Sequence, residues 1–210
     1  MVNETVLELK TGESRDLFLR EKDEKFEAIL GERSYLHLFL EPDFSGDVFI
    51  RLKGDASRVK VRGLAIGKGN EQISRHITIV HEGKSTASEQ IFKNIIFDEA
   101  TITTDSLVKI EEKAVKSEAG QLIKNLLLSA KAKVVSNPHL TIKNRDVVAH
   151  HGATSGAPDE QALLYLESRG MSKKEAKKAL IASFLQEIIS LIPIASERKL
   201  LEKSISKILA

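Results

Sequence analysis

Through the first three quarters of the chain, apolar and polar residues alternate in short runs divided by turn formers. Leu36, Leu38 and Leu40 fall on one side of such a run and His37 and Phe39 on the other, and Val59 and Val61 alternate with Lys60 and Arg62. A period of two predicts β-strands with one buried face. Strands are predicted at 6–9, 17–19, 26–30, 36–40, 48–52, 59–66 and 73–80, then at 91–97, 101–103, 107–110, 133–135, 140–142 and 147–149. Glu41-Pro42-Asp43, Ser45-Gly46-Asp47, Lys53-Gly54-Asp55 and Gly67-Lys68-Gly69-Asn70 supply turns between them. Residues 121–130 are rich in helix formers, so propensity alone permits a helix there. Strands spaced roughly 8–13 residues apart with no helix between them predict a sandwich, a barrel or a β-solenoid, and periodicity leaves these open. No strict repeat is visible.

Beyond residue 157 the apolar spacing becomes three and four. Pro158, then Asp159 and Glu160, open a helix over about 158–169 that stops at Gly170. Ser172 and Glu175 have the spacing of a capping box. They open a second helix, over about 173–190, with Ala176, Leu180, Phe184, Ile188 and Leu191 on one stripe and Ile181, Leu185 and Ile189 on the next. An arc this wide exceeds what one contact surface needs. Pro193 precedes a third helix that carries Leu200, Leu201, Ile205, Ile208 and Leu209. The chain therefore divides into a β core at 1–156 and a helical subdomain at 157–210.

With 210 residues the chain can bury a core without disulfides. Its 32 basic and 30 acidic residues nearly balance, and aromatics are 5%, so neither charge nor stacking points to nucleic acid. There is no cysteine, which excludes thiolate-held metal or clusters on this chain alone. Met1-Val2-Asn3-Glu4 does not open a signal peptide, and no apolar run approaches the roughly 20 residues of a membrane span. A soluble cytoplasmic protein is expected.

Residues 147–171 join the two regions: Val147 and Val148 start a strand, His150 and His151 follow, and a small glycine-containing bend is predicted at 152–156. The run His-Gly-Ala-Thr-x-Gly-x-x-Asp-Glu-x-x-Leu-x-Tyr-Leu-x-Ser-Arg-Gly at 151–170 resembles the C-terminal signature of the SufB/SufD family of iron–sulfur cluster assembly scaffolds, on its SufD side. The family also has a Gln-x-x-x-x-Leu-Leu-Leu-Ser segment followed by Pro-x-Leu, matched here at 121–129 and 138–140. The resemblance implies a mostly β protein with C-terminal α, a right-handed β-helix-like solenoid core followed by a small helical subdomain, with 121–128 as strand. It implies a non-catalytic scaffold or accessory subunit that docks SufC, an ABC-type ATPase, through its C-terminal helices. The β core would pair, with itself as a dimer or with a SufB-like subunit, through its last strands. Tyr165, Arg169, Leu180, Phe184, Glu187 and Ile188 are the docking candidates. No stably bound cofactor is expected, only transient iron or an Fe–S cluster shared with a partner chain.

His151 matches the SufD histidine before Gly-Ala-Thr and is the candidate ligand for iron or cluster; the bland alternative is a structural histidine at the strand–helix join. Adjacent histidines on a strand point to opposite faces, so His150 and His151 cannot easily share a metal, and His150 and His81 are the weaker candidates. His81 sits where the family often has a histidine, and a structural role is favoured for it. Ala149-His150-His151 replaces a Cys-Ser-His common in SufD-like sequences, and the family's N-terminal helical region has no counterpart here. The rival reading is a histidine-based metal-dependent enzyme or metal-binding protein on the β core. Gly67-Lys68-Gly69-Asn70 lacks the ending of a phosphate-binding loop and reads as a turn.

Overall fold

The chain alternates, strand by strand, between two sheets. A computed structural model describes residues 4–20 and 22–209; side chains at 22, 23, 204 and 207–209, including Ile208 and Leu209, lie outside the described residues. The strands are β1 (Glu4–Leu9), β2 (Ser14–Leu19), β3 (Lys22–Leu30), β4 (Tyr35–Leu40), β5 (Ser45–Leu52), β6 (Arg58–Gly67), β7 (Gln72–His81), β8 (Ala87–Ile96), β9 (Thr101–Ile110), β10 (Ser117–Leu127), β11 (Lys133–Ile142) and β12 (Val147–Gly156). Helices α1 (Glu160–Ser168), α2 (Lys173–Ile189) and α3 (Ala195–Leu209) follow. Odd strands form sheet A in the order β1-β3-β5-β7-β9-β11, and even strands form sheet B in the order β12-β10-β8-β6-β4-β2. Every pair is parallel. A chain that adds each strand next to the one two before it is winding a solenoid with two strands per turn.

The corners explain how the turns of the solenoid stack. Gly12, Arg33, Ala56, Ser85 and Lys116 all have positive φ. Their backbone N–H groups donate to Glu32, Asp55, Lys84, Val115 and Asp146 respectively, each one coil further on. The left-handed conformation costs a non-glycine residue roughly 1–2 kcal/mol, and a hydrogen bond that would otherwise be lost offsets it. Gly54 and Gly83 sit where these corners touch: a Cβ on Gly54 would lie 2.0 Å from Glu32 N, and one on Gly83 would lie 2.6 Å from Gly54 O. Ser34, Ser57 and Thr86 then return a hydroxyl to the carbonyls of Gly31, Gly54 and Gly83. A Gly-x-x-Ser/Thr corner thus recurs at 31, 54 and 83.

Several strands run further than their apolar residues predict. The runs at 101–103 and 107–110 are one strand, β9, because inward-facing Thr104 and Ser106 find polar partners inside. The runs at 133–135 and 140–142 join through Pro138; β11 pairs with β9 alone, and an edge strand tolerates a missing N–H. The bend predicted at 152–156 is instead strand, paired with β10 to the end at Gly156. Residues 121–127 are strand despite their helix propensity.

The main core lies between the sheets. A second core lies between sheet B and the helices, where Phe39, Leu64, Ile66 and Ile95 meet Ile181, Leu185, Ile188, Ile189, Leu201 and Ile205. Phe39, assigned by alternation to the face opposite the core, is therefore buried as well, beneath the helices. On α2 both stripes contribute to the buried face, through Ala176 and Ile188 on one and Ile181, Leu185 and Ile189 on the other, and Leu180 and Phe184 are half-buried. Ser172 and Glu175 form the capping box, and Asp159 caps α1.

Candidate functional site

Going up the inside of sheet B, side chains in register change from apolar to polar. Leu38, Val61, Gln90, Gln121 and His151 form one inward ladder across β4, β6, β8, β10 and β12. The Ser106 hydroxyl donates to Gln90 Oε1 at 2.7 Å, and Gln121 Nε2 donates to Ser106 Oγ at 2.7 Å and to its carbonyl at 3.0 Å. Buried Gln121 Oε1 finds no partner among the described residues. A parallel ladder links Asn94 Nδ2 to Asn125 Oδ1 at 2.8 Å and Asn125 Nδ2 to Ser155 Oγ at 2.9 Å. Both ladders end on β12, the edge of sheet B, where His151 and Ser155 are exposed.

His150 points the other way. It is in register with Gly120, and a Cβ there would lie 2.8 Å from its Nε2, so glycine makes room for the ring. The ring lines a shallow hollow of about 310 Å³ with Tyr35, Arg58, Lys60 and Glu118. The structure thus keeps His150 and His151 on opposite faces. His81 is fully buried at the end of β7, its Nδ1 2.8 Å from Thr86 Oγ1 and its Nε2 2.8 Å from Ser88 Oγ. Both ring nitrogens are engaged, and burial lowers its pKa to about 4. Among the described residues no three His, Asp or Glu side chains stand close enough to hold a metal ion.

The docking candidates divide. Tyr165 is exposed on α1, with the Arg169 guanidinium 5.2 Å from its ring centroid. Ile188 is buried against sheet B, and Glu187 reaches back to it, accepting from Lys93 Nζ at 2.5 Å and Lys124 Nζ at 3.2 Å. Lys93 is almost completely covered; its Nζ also donates to the Phe184 carbonyl and lies 4.3 Å from the Phe184 ring centroid. Burial lowers the Lys93 pKa, while the hydrogen bond from Lys93 lowers that of Glu187 and keeps its carboxylate charged. Leu180 and Phe184 are half-buried beside this clamp. Sequence reasoning missed Lys93 and Lys124, whose register on adjacent strands is the signal that pairs them. It also missed Leu164 and Ile194 and placed Leu191 and Leu200 only on helix stripes; all four are apolar side chains left exposed on and between the helices.

Residues 45–184 match the family model described as "SUF system FeS cluster assembly, SufBD core domain". The chain belongs to the SufBD family. The matched region runs from β5 into α2 and so takes in the polar residues of both ladders together with Lys93 and Lys124, ending three residues short of Glu187. This SufBD family chain is 31% identical over 188 residues to the iron–sulfur cluster assembly protein SufD of Bacillus subtilis, covering 90% of this chain and 42% of the relative. It is 30% identical to SufD of Escherichia coli over 66% of this chain and 33% of that protein. It is 32% identical to an iron–sulfur cluster assembly SufBD family protein of Synechocystis over 72% of this chain and 34% of that one. The chain therefore spans well under half the length of these relatives. Among the described residues no helix is long and apolar enough to cross a membrane.

Proposed function

We propose that this chain is a scaffold or accessory subunit of a cytoplasmic Suf-type iron–sulfur cluster assembly complex, with no catalytic step of its own in cluster chemistry. The C-terminal helices dock a SufC-like ATPase, and the last strands pair with a SufB-like subunit or with a second copy. The observation that carries this reading is the clamp between α2 and sheet B. Lys93 and Lys124 grip Glu187 from two neighbouring strands, so a force applied to α2 is passed directly to the strands that end in the polar ladders. The exposed side chains of Tyr165, Leu164, Leu191 and Leu200 supply an apolar surface for the ATPase. His151, exposed on an edge strand with Gln121 beside it, would offer one imidazole to iron or cluster passing through, with the remaining ligands coming from the partner chain.

Co-expression with a SufC-like ATPase should give a complex that survives size-exclusion chromatography. A chain ending at Gly156 should no longer co-purify with it. Retention of the ATPase by that truncated chain would overturn docking through the helices.

A further inference from the structure

The outer face of sheet A, on the side of the molecule away from α2, carries a line of four polar side chains in close contact. Ser74 and His76 are two residues apart on β7 and share a face. Ser74 Oγ lies 3.1 Å from His76 Nε2. His76 Nδ1 lies 3.2 Å from Asp105 Oδ2, in register on β9, and Asn137 Nδ2 of β11 donates to Asp105 Oδ1 at 2.6 Å. A carboxylate only accepts, so the proton of a neutral His76 is on Nδ1. Nε2 is then the acceptor, and the Ser74 hydroxyl donates to it. This is the order of nucleophile, base and orienting acid that activates a serine.

The backbone around Ser74 is fixed and opened. The register between β3 and β5 shifts between Lys22 and Glu24, next to Gly46. Gly46 has φ of 150°, and a Cβ there would lie 2.1 Å from Glu24 O, so no other residue fits. The Ser45 side chain bridges the gap: its hydroxyl donates to Ser74 O at 2.8 Å and accepts from Ser74 N at 3.0 Å. A hollow of about 270 Å³ opens beside Ser74 and His76, lined also by Lys25, Asp47 and Glu24. Lys25 and Asp47 are in register on β3 and β5, with Asp47 next to His76, and the two acids disfavour a substrate that carries a carboxylate.

We propose that Ser74, His76 and Asp105 form a serine nucleophile site that accepts the acyl group of small, uncharged esters. His76 Nε2 takes the Ser74 proton as Oγ bonds to the carbonyl carbon. The ester C–O bond then breaks, and the alcohol leaves with that proton. Water, deprotonated by His76, releases the acid and restores Ser74. Asp105, held by Asn137, positions the imidazole.

The test is labelling of the full chain with a fluorophosphonate probe, which would bond phosphorus to Ser74 Oγ and release fluoride, together with turnover of p-nitrophenyl acetate. Intact mass should rise by one probe, and peptide mapping should place it on Ser74. Ser74→Ala should abolish labelling, and His76→Gln should slow labelling and ester turnover about 100-fold, the scale of lost general-base help. His76 is half-exposed, so this variant should melt at the wild-type temperature. An unlabelled wild-type protein, or a folded His76→Gln protein that labels at the wild-type rate, would overturn the proposal.

Discussion

At His81 the same burial that fixes the side chain also makes the fold sensitive to acid. The ring is held by Thr86 on one nitrogen and Ser88 on the other, and Thr86 is held in turn by Ser117 at 2.8 Å. Its folded pKa, about 4, lies below the usual value of 6.5. Between those values the unfolded chain binds a proton that the folded chain refuses, so stability is full above pH 6.5 and is lost as pH falls toward 4. By pH 5 the loss from this group is about 2 kcal/mol. Buried His37 is lowered too, by burial first and then by Arg62, and acts in the same direction. Urea midpoints at pH 7 and pH 5 should therefore fall further for the wild type than for His81→Gln, by about 2 kcal/mol after scaling by the slope. Equal falls would remove His81 as the cause. Arg75 meets burial differently. It is fully buried, its proton affinity lowered to about 9 by desolvation, yet its guanidinium stays charged near neutrality, donating to the carbonyls of Phe44, Glu41, Pro42 and Leu64.

Among the elements, α2 depends on an uncommon contact, a lysine from the sheet entering the helix surface. Lys93 satisfies a main-chain carbonyl and a carboxylate at once, whereas Lys124, one-third exposed, touches only the carboxylate. Lys93→Met should loosen α2 by about 1–2 kcal/mol: hydrogen bonds to charged groups are worth about 1.5–3 kcal/mol, less here because Glu187 is half-exposed. Hydrogen exchange of the α2 amides should then speed up about 5–30-fold. Lys124→Met should change it little, because a partly exposed pair contributes about 0–1 kcal/mol. Equal effects of the two substitutions would refute this division. The helices themselves were legible in the sequence: the Ser172–Glu175 box and Gly170 mark ends that the structure keeps, with Gly170 at φ of 95°. The strands were legible where apolar residues alternate and illegible where polar residues face inward. Nothing local distinguishes Ser88, Gln90, Thr104 or Ser106 from solvent-facing residues, since their partners lie 15 or more positions away or on another strand. The corner repeat of Gly31, Gly54 and Gly83 was present but hidden by unequal spacing, because strands lengthen along the solenoid from six residues to ten or eleven. The Ser74–His76–Asp105 line was invisible for the same reason: register between β7 and β9 brings Asp105 into place.

At the scale of the whole molecule, the solenoid leaves its last coil uncovered. The chain turns from β12 into helices, and α2 lies over β6 and β8, so the outer edges of β11 and β12 keep unpaired backbone groups. An exposed strand edge is a template for another strand. This edge has ten residues in each sheet and carries exposed Val148, Val135 and Ile142; Lys133 and Pro138 blunt pairing along β11, whereas β12 has no proline and no Asp, Glu, Lys or Arg. If a second copy pairs here, most of the binding comes from backbone hydrogen bonds, with Val148 packing alongside. Sedimentation velocity should then show a concentration-dependent dimer. Val148→Lys should weaken it about tenfold, since a charge next to the new pair costs about 1.4 kcal/mol. His151→Ala should leave the dimer nearly unchanged, because its side chain faces the interior ladder and contributes no main-chain bond. A dimer lost on His151→Ala but kept in Val148→Lys would mean that the coils meet end to end through their side chains. A chain that stays monomeric at every concentration would refute pairing of two copies through this edge.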